Sequence, residues 1–271
     1  MSKQRRTSAD NLHWSSALSR TEPGKIVIRG QELTGLMGRC TFGETLYLLW
    51  TGQQAPQAWV PVLDALLVAA IDHGPGSPSA LTARTVISGG GALNTAAAAG
   101  LLTMGEFHGA AVSAAMTLLY DVSRRTELSS QVNAIDAVLN DWRAAHRRFP
   151  GLGHRLHDTD PRVERLWALA ETAGLPNTFA LLERAIAERA SLLIGKPLPI
   201  NIDGVMASVL CSMQFPAQLG NAFFYVARLG GLLAHAYEEQ QRMPPMRRIH
   251  PTDYSYDGPS SLNAPTVIET A

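Results

Sequence analysis

Between Pro56 and Ile71 the apolar residues Val60, Leu63, Leu66, Leu67 and Ala70 recur at steps of three and four, which places them on one face of a helix. The same stepping predicts helices over 107–124, 129–146, 161–173, 178–193 and 216–241. Extended character is confined to KIVIRG at 25–30, which reads as a small strand or hairpin arm closed by glycine. Glycine and proline separate the periodic stretches: GPGSPS at 74–79, SGGG at 88–91, the FPGLGH turn, GKPLPI at 195–200 and QFP at 214–216. From Pro244 the periodicity fades, and DGPSSLNAP near the end reads as an exposed arm. Strands and helices do not alternate and no segment repeats, so an all-α fold is expected rather than a doubly wound sheet.

The stretch 216–241 departs from its neighbours. FFYVARLGGLLAHAYEE is apolar almost all round, as expected of a helix inside a domain or in a subunit interface. Arg228 sits in its middle. A buried guanidinium calls for an anion, supplied either by a salt bridge within the bundle or by a ligand carboxylate or phosphate.

Composition narrows the function classes. With 46% hydrophobic and 17% charged residues over 271 positions the chain is core-rich, not disordered. A formal net charge of zero argues against a chiefly electrostatic partner such as nucleic acid or an anionic membrane. Cys40 and Cys211 lie in apolar surroundings and read as buried thiols, not a disulfide. No apolar run nears the ~18 residues a membrane span needs, and MSKQRRTSADNLHWSS holds no signal core, so a soluble cytoplasmic protein is expected.

Three histidines lie at glycine-flanked turns: His73 in IDHGPG, His108 in GEFHGAA and His154 in GLGHR. Glycine beside a polar group lets a ligand or a second backbone come close. Each histidine alone reads as a cap or a core residue; three with one neighbourhood point to a shared site. Asp203 in PINIDGVMASVL stands where a proline-punctuated loop becomes an apolar helix, an ordinary N-cap position. Arg162 in DTDPR falls in the first turn of a helix opened by Asp160-Pro161. A metal is not expected: HExxH, CxxC and close histidine pairs on one helix face are all missing. GxSxG and GxxxxGK[ST] are missing too, and SGGG reads as a helix break. Arg143, His146, Arg147 and Arg148 read as a solvated helix end that could meet phosphates.

In order, these segments resemble the citrate synthase superfamily over about residues 24–250. GKIVIRGQELTGLMGRCTFGETLYLLWTG is similar to that family's opening hairpin and first helices, and IDHGPGSPSALTART to its Asp-His…Ser…Thr-Ala-Arg segment. FHGAAVSAA resembles its His-Gly-Gly-Ala-Asn segment and FPGLGHRLHDTDPR its Gly-x-Gly-His-Arg…Asp-Pro-Arg signature. PINIDGVMASVL resembles Asn-Val-Asp, and VARLGGLLAH the helix with the buried arginine. The resemblance implies chemistry on an acetyl thioester and an α-keto acid through a thioester enol, which needs a carboxylate base and a hydrogen bond to the enolate oxygen. It casts Asp203 as the base, His108 as the enol-stabilising donor and His154 as the group exchanging a proton with the oxaloacetate carbonyl or citryl hydroxyl.

His73, Arg162 and Arg228 would bind the dicarboxylate. A further arginine would come from a partner subunit, Arg248 being the choice and Arg247 the neighbour, which implies a homodimer or higher oligomer. The turn Gly151, Leu152, Gly153 with Arg155 would carry coenzyme A. No tightly bound cofactor and no metal is implied; the coenzyme A thioester is itself substrate. The implied layout is a large helical domain at 24–144 and 221–250, a small helical domain at 145–220 closing over the cleft, and arms at 1–23 and 251–271. Modest length, GKPLPINIDG and the tail HAYEEQQRMPPMRRIHPTDYSY look most like the citryl-CoA lyase branch, including the C-terminal module of ATP-citrate lyase. FHGAA keeps a histidine that this module lacks, but not the Gly-Ala-Asn of the synthases. The expected activity is therefore cleavage of (3S)-citryl-CoA to acetyl-CoA and oxaloacetate. Citrate or 2-methylcitrate synthesis, or a non-catalytic binding subunit, are the alternatives.

Overall fold

The computed structural model describes residues 15–109, 111–154 and 158–258. A three-stranded antiparallel sheet opens the chain: β1 (Ser19–Glu22), β2 (Lys25–Ile28) and β3 (Gln31–Glu32), in that spatial order. Arg29 and Gly30 both take positive φ (48° and 81°) in the two-residue β2–β3 turn, which suits the twist of a tight hairpin. The remaining elements are helical, as expected of an all-α fold: α1 (Leu33–Leu36), α2 (Phe42–Thr51), α3 (Val60–Ala70), α4 (Pro78–Ser88), α5 (Leu93–Leu102) and α6 (Val112–Thr126) come first. Then follow α7 (Gln131–Ala144), α8 (Pro161–Thr172), α9 (Thr178–Ile194), α10 (Ile202–Ser212) and α11 (Gly220–Arg242). No described helix is long and apolar enough to cross a membrane.

The main core joins α3, α6, α7, α8, α9, α10 and part of α11. Its centre is α10, in which every residue from Ile202 to Cys211 except Asp203 is buried. The sequence pattern pointed to the last helix as the enclosed one. Within one chain α11 buries a single face through Phe223, Phe224, Ala227, Arg228, Gly231, Leu232 and Ala236, and leaves Tyr237 exposed. A smaller core sets α4 and α5 against α11 through Ala80, Ala83, Ile87, Ala96, Leu232 and Ala236. Small side chains let these helices approach closely: a methyl group on Gly100 would lie 2.9 Å from Leu232 Cδ1 and 3.1 Å from the Ser79 carbonyl oxygen.

Three helix starts differ from the periodic pattern; the stretch from Pro56 forms a 3-10 turn over Gln57–Trp59 before α3 begins at Val60. The helix foreseen from residue 107 begins at Val112, because Gly105 and His108 close a tight turn by exchanging both backbone hydrogen bonds. The helix foreseen from residue 216 begins at Gly220, after a 3-10 turn over Ala217–Leu219. SGGG does break the chain between α4 and α5.

Candidate active site

The site is built around the C-terminal end of α3, where the last carbonyls lack helical partners and carry the negative end of the helix dipole. Arg162 Nη1 donates to the Ala69 carbonyl at 3.1 Å, and Arg228 Nε donates to the next one, Ala70, at 3.0 Å. Two guanidinium groups from α8 and α11, far apart in sequence, thus hang from neighbouring carbonyls.

Arg162 is held from behind. Asp160 is the N-cap of α8, accepts the Arg162 backbone N–H, and takes a bidentate grip on the guanidinium (Nε–Oδ1 2.8 Å, Nη2–Oδ2 2.6 Å). Burial works against the Asp160 carboxylate, but the paired guanidinium wins and keeps its pKa below the usual range. Among the described residues this pair and Ala69 use three of the five N–H groups and leave one on each terminal nitrogen.

Arg228 is only 3% exposed. Among the described residues no carboxylate forms an ion pair with it, so of the two partners the sequence allowed, a salt bridge inside the bundle is not seen there. Its contacts are the Ala70 carbonyl and the ring of Phe224, 4.8 Å beneath. A buried cation balanced by a carbonyl and a ring is suited to an anionic ligand.

Beyond α3 the chain turns through Asp72, His73 and Gly74, the glycine at φ 82°. Asp72 accepts the Gly74 N–H at 3.1 Å and projects His73 against His154, the two rings perpendicular with centroids 5.5 Å apart. Burial, then the nearby charges of Arg162, Arg228 and His154, lower the His73 pKa, which favours a neutral imidazole.

His154 is delivered by the glycine turn. Gly153 N–H donates to the Pro199 carbonyl at 2.7 Å, Asn201 N–H to Gly151 at 2.9 Å, and Asn201 Nδ2 to Gly153 at 2.8 Å. Gly151 and Gly153 stand at φ 78° and 84°, where other residues are strained. Contact with α10 also requires glycine. A methyl on Gly151 would sit 2.6 Å from Gly204 Cα, and one on Gly204 would sit 2.6 Å from the Gly151 oxygen. Three of the turn's backbone polar groups, the Gly151 and Gly153 carbonyls and the Gly153 N–H, are therefore spent on holding His154 beside α10. Leu152 bridges to Ile200, and Arg155 lies outside the described residues.

Asp203 is not the N-cap of its helix. Asn201 is, accepting the N–H groups of Asp203 (3.0 Å) and Gly204 (3.3 Å). This correction matters chemically, because the Asp203 carboxylate is not consumed by capping. One oxygen accepts the Ala111 N–H, while Oδ1 is buried and has no partner among the described residues. Burial pushes the Asp203 pKa up to about 6, against the pull of Ala111, Arg162 and Arg228. That value suits a group that takes and returns protons near neutrality.

Ala111 belongs to the loop that carries His108. The His108 Nε2 lies 3.3 Å from Ser79 N and 2.8 Å from Ser79 Oγ. A backbone N–H can only donate, so Nε2 accepts and the neutral ring carries its proton on Nδ1. Phe224 backs both this loop and Arg228: a methyl on Gly109 would meet its ring at 2.9 Å.

His73, His154, Arg162, Arg228, Asp203 and His108 are thus linked into one site by the end of α3, the start of α10 and the loop at 105–111. Arg248 is exposed in the tail and makes no ion pair or hydrogen bond among the described residues. Its neighbour Arg247 is tied to Glu239 (2.7 Å) and, through its backbone N–H, to Ser88 Oγ. Sequence reasoning passed over Ser79 and Asn201. Asn201 carried a readable signal, an Asn at a helix start two residues before the aspartate. Ser79 carried none, since its partner lies 29 positions away.

This helical bundle sets a carboxylate, two guanidinium groups and three histidines around the ends of α3 and α10. Residues 53–252 match the model for the citrate synthase C-terminal domain, and the chain belongs to that family. Its structure is similar to citryl-CoA lyase from Hydrogenobacter thermophilus, with a TM-score of 0.82 and 32% identity, over 93% of this chain and 97% of that one. It also shares its fold with ATP citrate lyase from Methanosaeta concilii, solved with (3S)-citryl-CoA, at a TM-score of 0.78 and 21% identity, over 95% of this chain and 43% of that one. ATP-citrate synthase beta chain protein 2 of Arabidopsis thaliana is 24% identical over 225 residues, 77% of this chain but only 36% of that one.

Proposed function

We propose that the protein cleaves (3S)-citryl-CoA to acetyl-CoA and oxaloacetate by acid–base chemistry of its own side chains. The observation that carries this reading is Asp203: a buried carboxyl whose Oδ1 has no partner among the described residues and whose pKa is pushed up to about 6, in the field of two guanidinium groups. Similarity to citryl-CoA lyase over nearly the full length of both chains supports the direction.

In this reading the dicarboxylate end of the citryl group lies on Arg162, Arg228 and His73. His154 takes the hydroxyl proton, the hydroxyl carbon becomes the oxaloacetate carbonyl, and the carbon–carbon bond breaks. The electron pair passes to the thioester, whose developing enolate oxygen accepts the His108 Nδ1–H. Protonated Asp203 then delivers its proton to the carbon that becomes the acetyl methyl. With a pKa near 6 about a tenth of Asp203 is protonated at pH 7. His154 gives up the hydroxyl proton between turnovers, and Asp203 regains its own. The same groups run the condensation in reverse. A coenzyme A thioester enters as substrate along the 151–155 turn.

Residues 145–220 carry His154, Arg162 and Asp203, and we assign them to a small domain that closes on 24–144 and 221–250, which carry His73, His108 and Arg228. Arg248, with no ion pair or hydrogen bond among the described residues, is assigned to the site of a partner subunit in a homodimer or larger assembly.

The test is to supply purified protein with citryl-CoA and follow acetyl-CoA, oxaloacetate, citrate and free coenzyme A together. Acetyl-CoA and oxaloacetate without citrate are expected. Citrate and free coenzyme A above the uncatalysed rate would move the protein to the synthases, and no turnover of citryl-CoA would refute the lyase reading.

A further inference from the structure

One face of α11 follows the end of α3 residue by residue. Arg228, Gly231 and His235 are spaced three and four apart and so share a face. Arg228 donates to the Ala70 carbonyl, Gly231 lies directly under the Ile71 carbonyl, and His235 Nε2 meets Asp72 Oδ1 at 3.0 Å. Gly231 has no room for a side chain: a methyl there would fall inside the Ile71 oxygen and 3.1 Å from Asp72 Oδ1. The close approach is what brings His235 within reach of Asp72.

We infer that His235 is a positioning residue for His73, acting through Asp72. The loop 72–76 holds two glycines, Gly74 and Gly76, and its other hydrogen bonds are local: Gly74 N–H to Asp72, and Ser77 N–H to the Gly74 carbonyl. Among the described residues the His235–Asp72 bond is the hydrogen bond that ties the side chains of this loop to another element. The His235 side chain is 12% exposed and fixed on a long helix, so it is a firm anchor. Asp72 in turn orients the backbone that follows His73, accepting from the Gly74 N–H. His73 is thereby held against His154 and within the field of Arg162 and Arg228. His235 touches neither ring; it sets where one of them stands.

The inference goes beyond the proposed reaction, though its catalytic consequence rests on that reading, so the first test uses no substrate. Full-length protein with ring-labelled histidines is titrated by NMR without ligand, with the His73 signal assigned through His73→Gln. In His235→Ala the loop loosens, and His73 should titrate at higher pH than in the parent as it leaves the two guanidinium groups. In His235→Gln, whose amide can still donate to Asp72, it should titrate as in the parent. A His73 signal in His235→Ala that overlays the parent's overturns the inference, and so does a Gln variant that behaves like Ala. The second readout is steady-state cleavage of citryl-CoA. His235→Ala should raise KM by about five- to tenfold with kcat held within about twofold, and Gln should restore KM. A fall in kcat at unchanged KM would overturn it. Should the wild-type protein not turn over citryl-CoA, the ring titration decides the matter alone.

Discussion

Replacing Asp203 with asparagine should produce an enzyme that is inactive and more stable, with the gain confined to neutral and alkaline pH. Asparagine keeps the shape and can still accept the Ala111 N–H, but it never carries charge. In the native chain burial lifts the Asp203 pKa from its ordinary 3.8 to about 6. A group whose pKa is raised on folding binds its proton more tightly in the native state. Its penalty is absent below the unfolded value, grows between about pH 4 and pH 6, and is constant above. At pH 8 that penalty is about 3 kcal/mol, and near pH 4 it falls below about 1 kcal/mol. For a chain of 271 residues, 3 kcal/mol corresponds to roughly 5 °C in Tm. Glu183, also buried with its pKa raised by desolvation, is common to both proteins and cancels in the difference. The assay is paired thermal unfolding of parent and Asp203→Asn at pH 8 and pH 4, beside turnover of citryl-CoA. Loss of the proton donor should reduce kcat by at least about 100-fold. If Asp203→Asn melts at or below the parent at pH 8, or if its advantage persists undiminished at pH 4, the carboxyl is not strained by burial and its assignment as a poised acid–base group fails.

Three further outcomes follow from the packing. Gly204→Ala would place a methyl 2.6 Å from the Gly151 oxygen and 2.7 Å from Glu183 Oε1, so denaturant unfolding should show a loss of roughly 2–3 kcal/mol. Ser79→Ala removes the hydroxyl 2.8 Å from His108 Nε2; kcat for citryl-CoA should fall by about tenfold, with KM changed far less. Glu239→Ala removes the carboxylate shared by Arg84 and Arg247 (both 2.7 Å at the shortest), costing roughly 2 kcal/mol and releasing the tail, which limited trypsin digestion at Arg247 and Arg248 would detect as faster cleavage.

The helices legible in the sequence are those that bury one face and wet the other. α3, α6, α7, α8 and α9 carry clear three-and-four spacing because each lies at the edge of the main core. α10 has no such stripe, since it is enclosed on nearly all sides, and it was readable only as an apolar run after a proline-punctuated loop. α4 and α5 meet α11 through alanine and glycine, side chains too small to leave a strong pattern. The candidate site residues could be picked out one by one, from glycine beside histidine and from the helix starts at Asp160-Pro161 and near Asp203. Their partners were not. The carbonyl that holds Arg228 lies 158 positions away and the serine that sets the His108 tautomer 29 away, and no local pattern encodes either pairing. The N-cap of α10 was misplaced by two residues because Asn and Asp are nearly equal caps and both stand at that start.

The attachment of Arg162 and Arg228 to successive carbonyls of α3 makes the helix end a ruler. The roots of the two anchors are one peptide unit apart, about 3.8 Å along the chain, a spacing set by backbone geometry and not by side-chain torsions. On the proposed reading, substituting either arginine weakens the grip on the dicarboxylate but leaves the spacing of the two carbonyls unchanged. To accept a longer keto acid the chain would have to move the end of α3 itself, by an insertion or deletion near Ala69–Asp72.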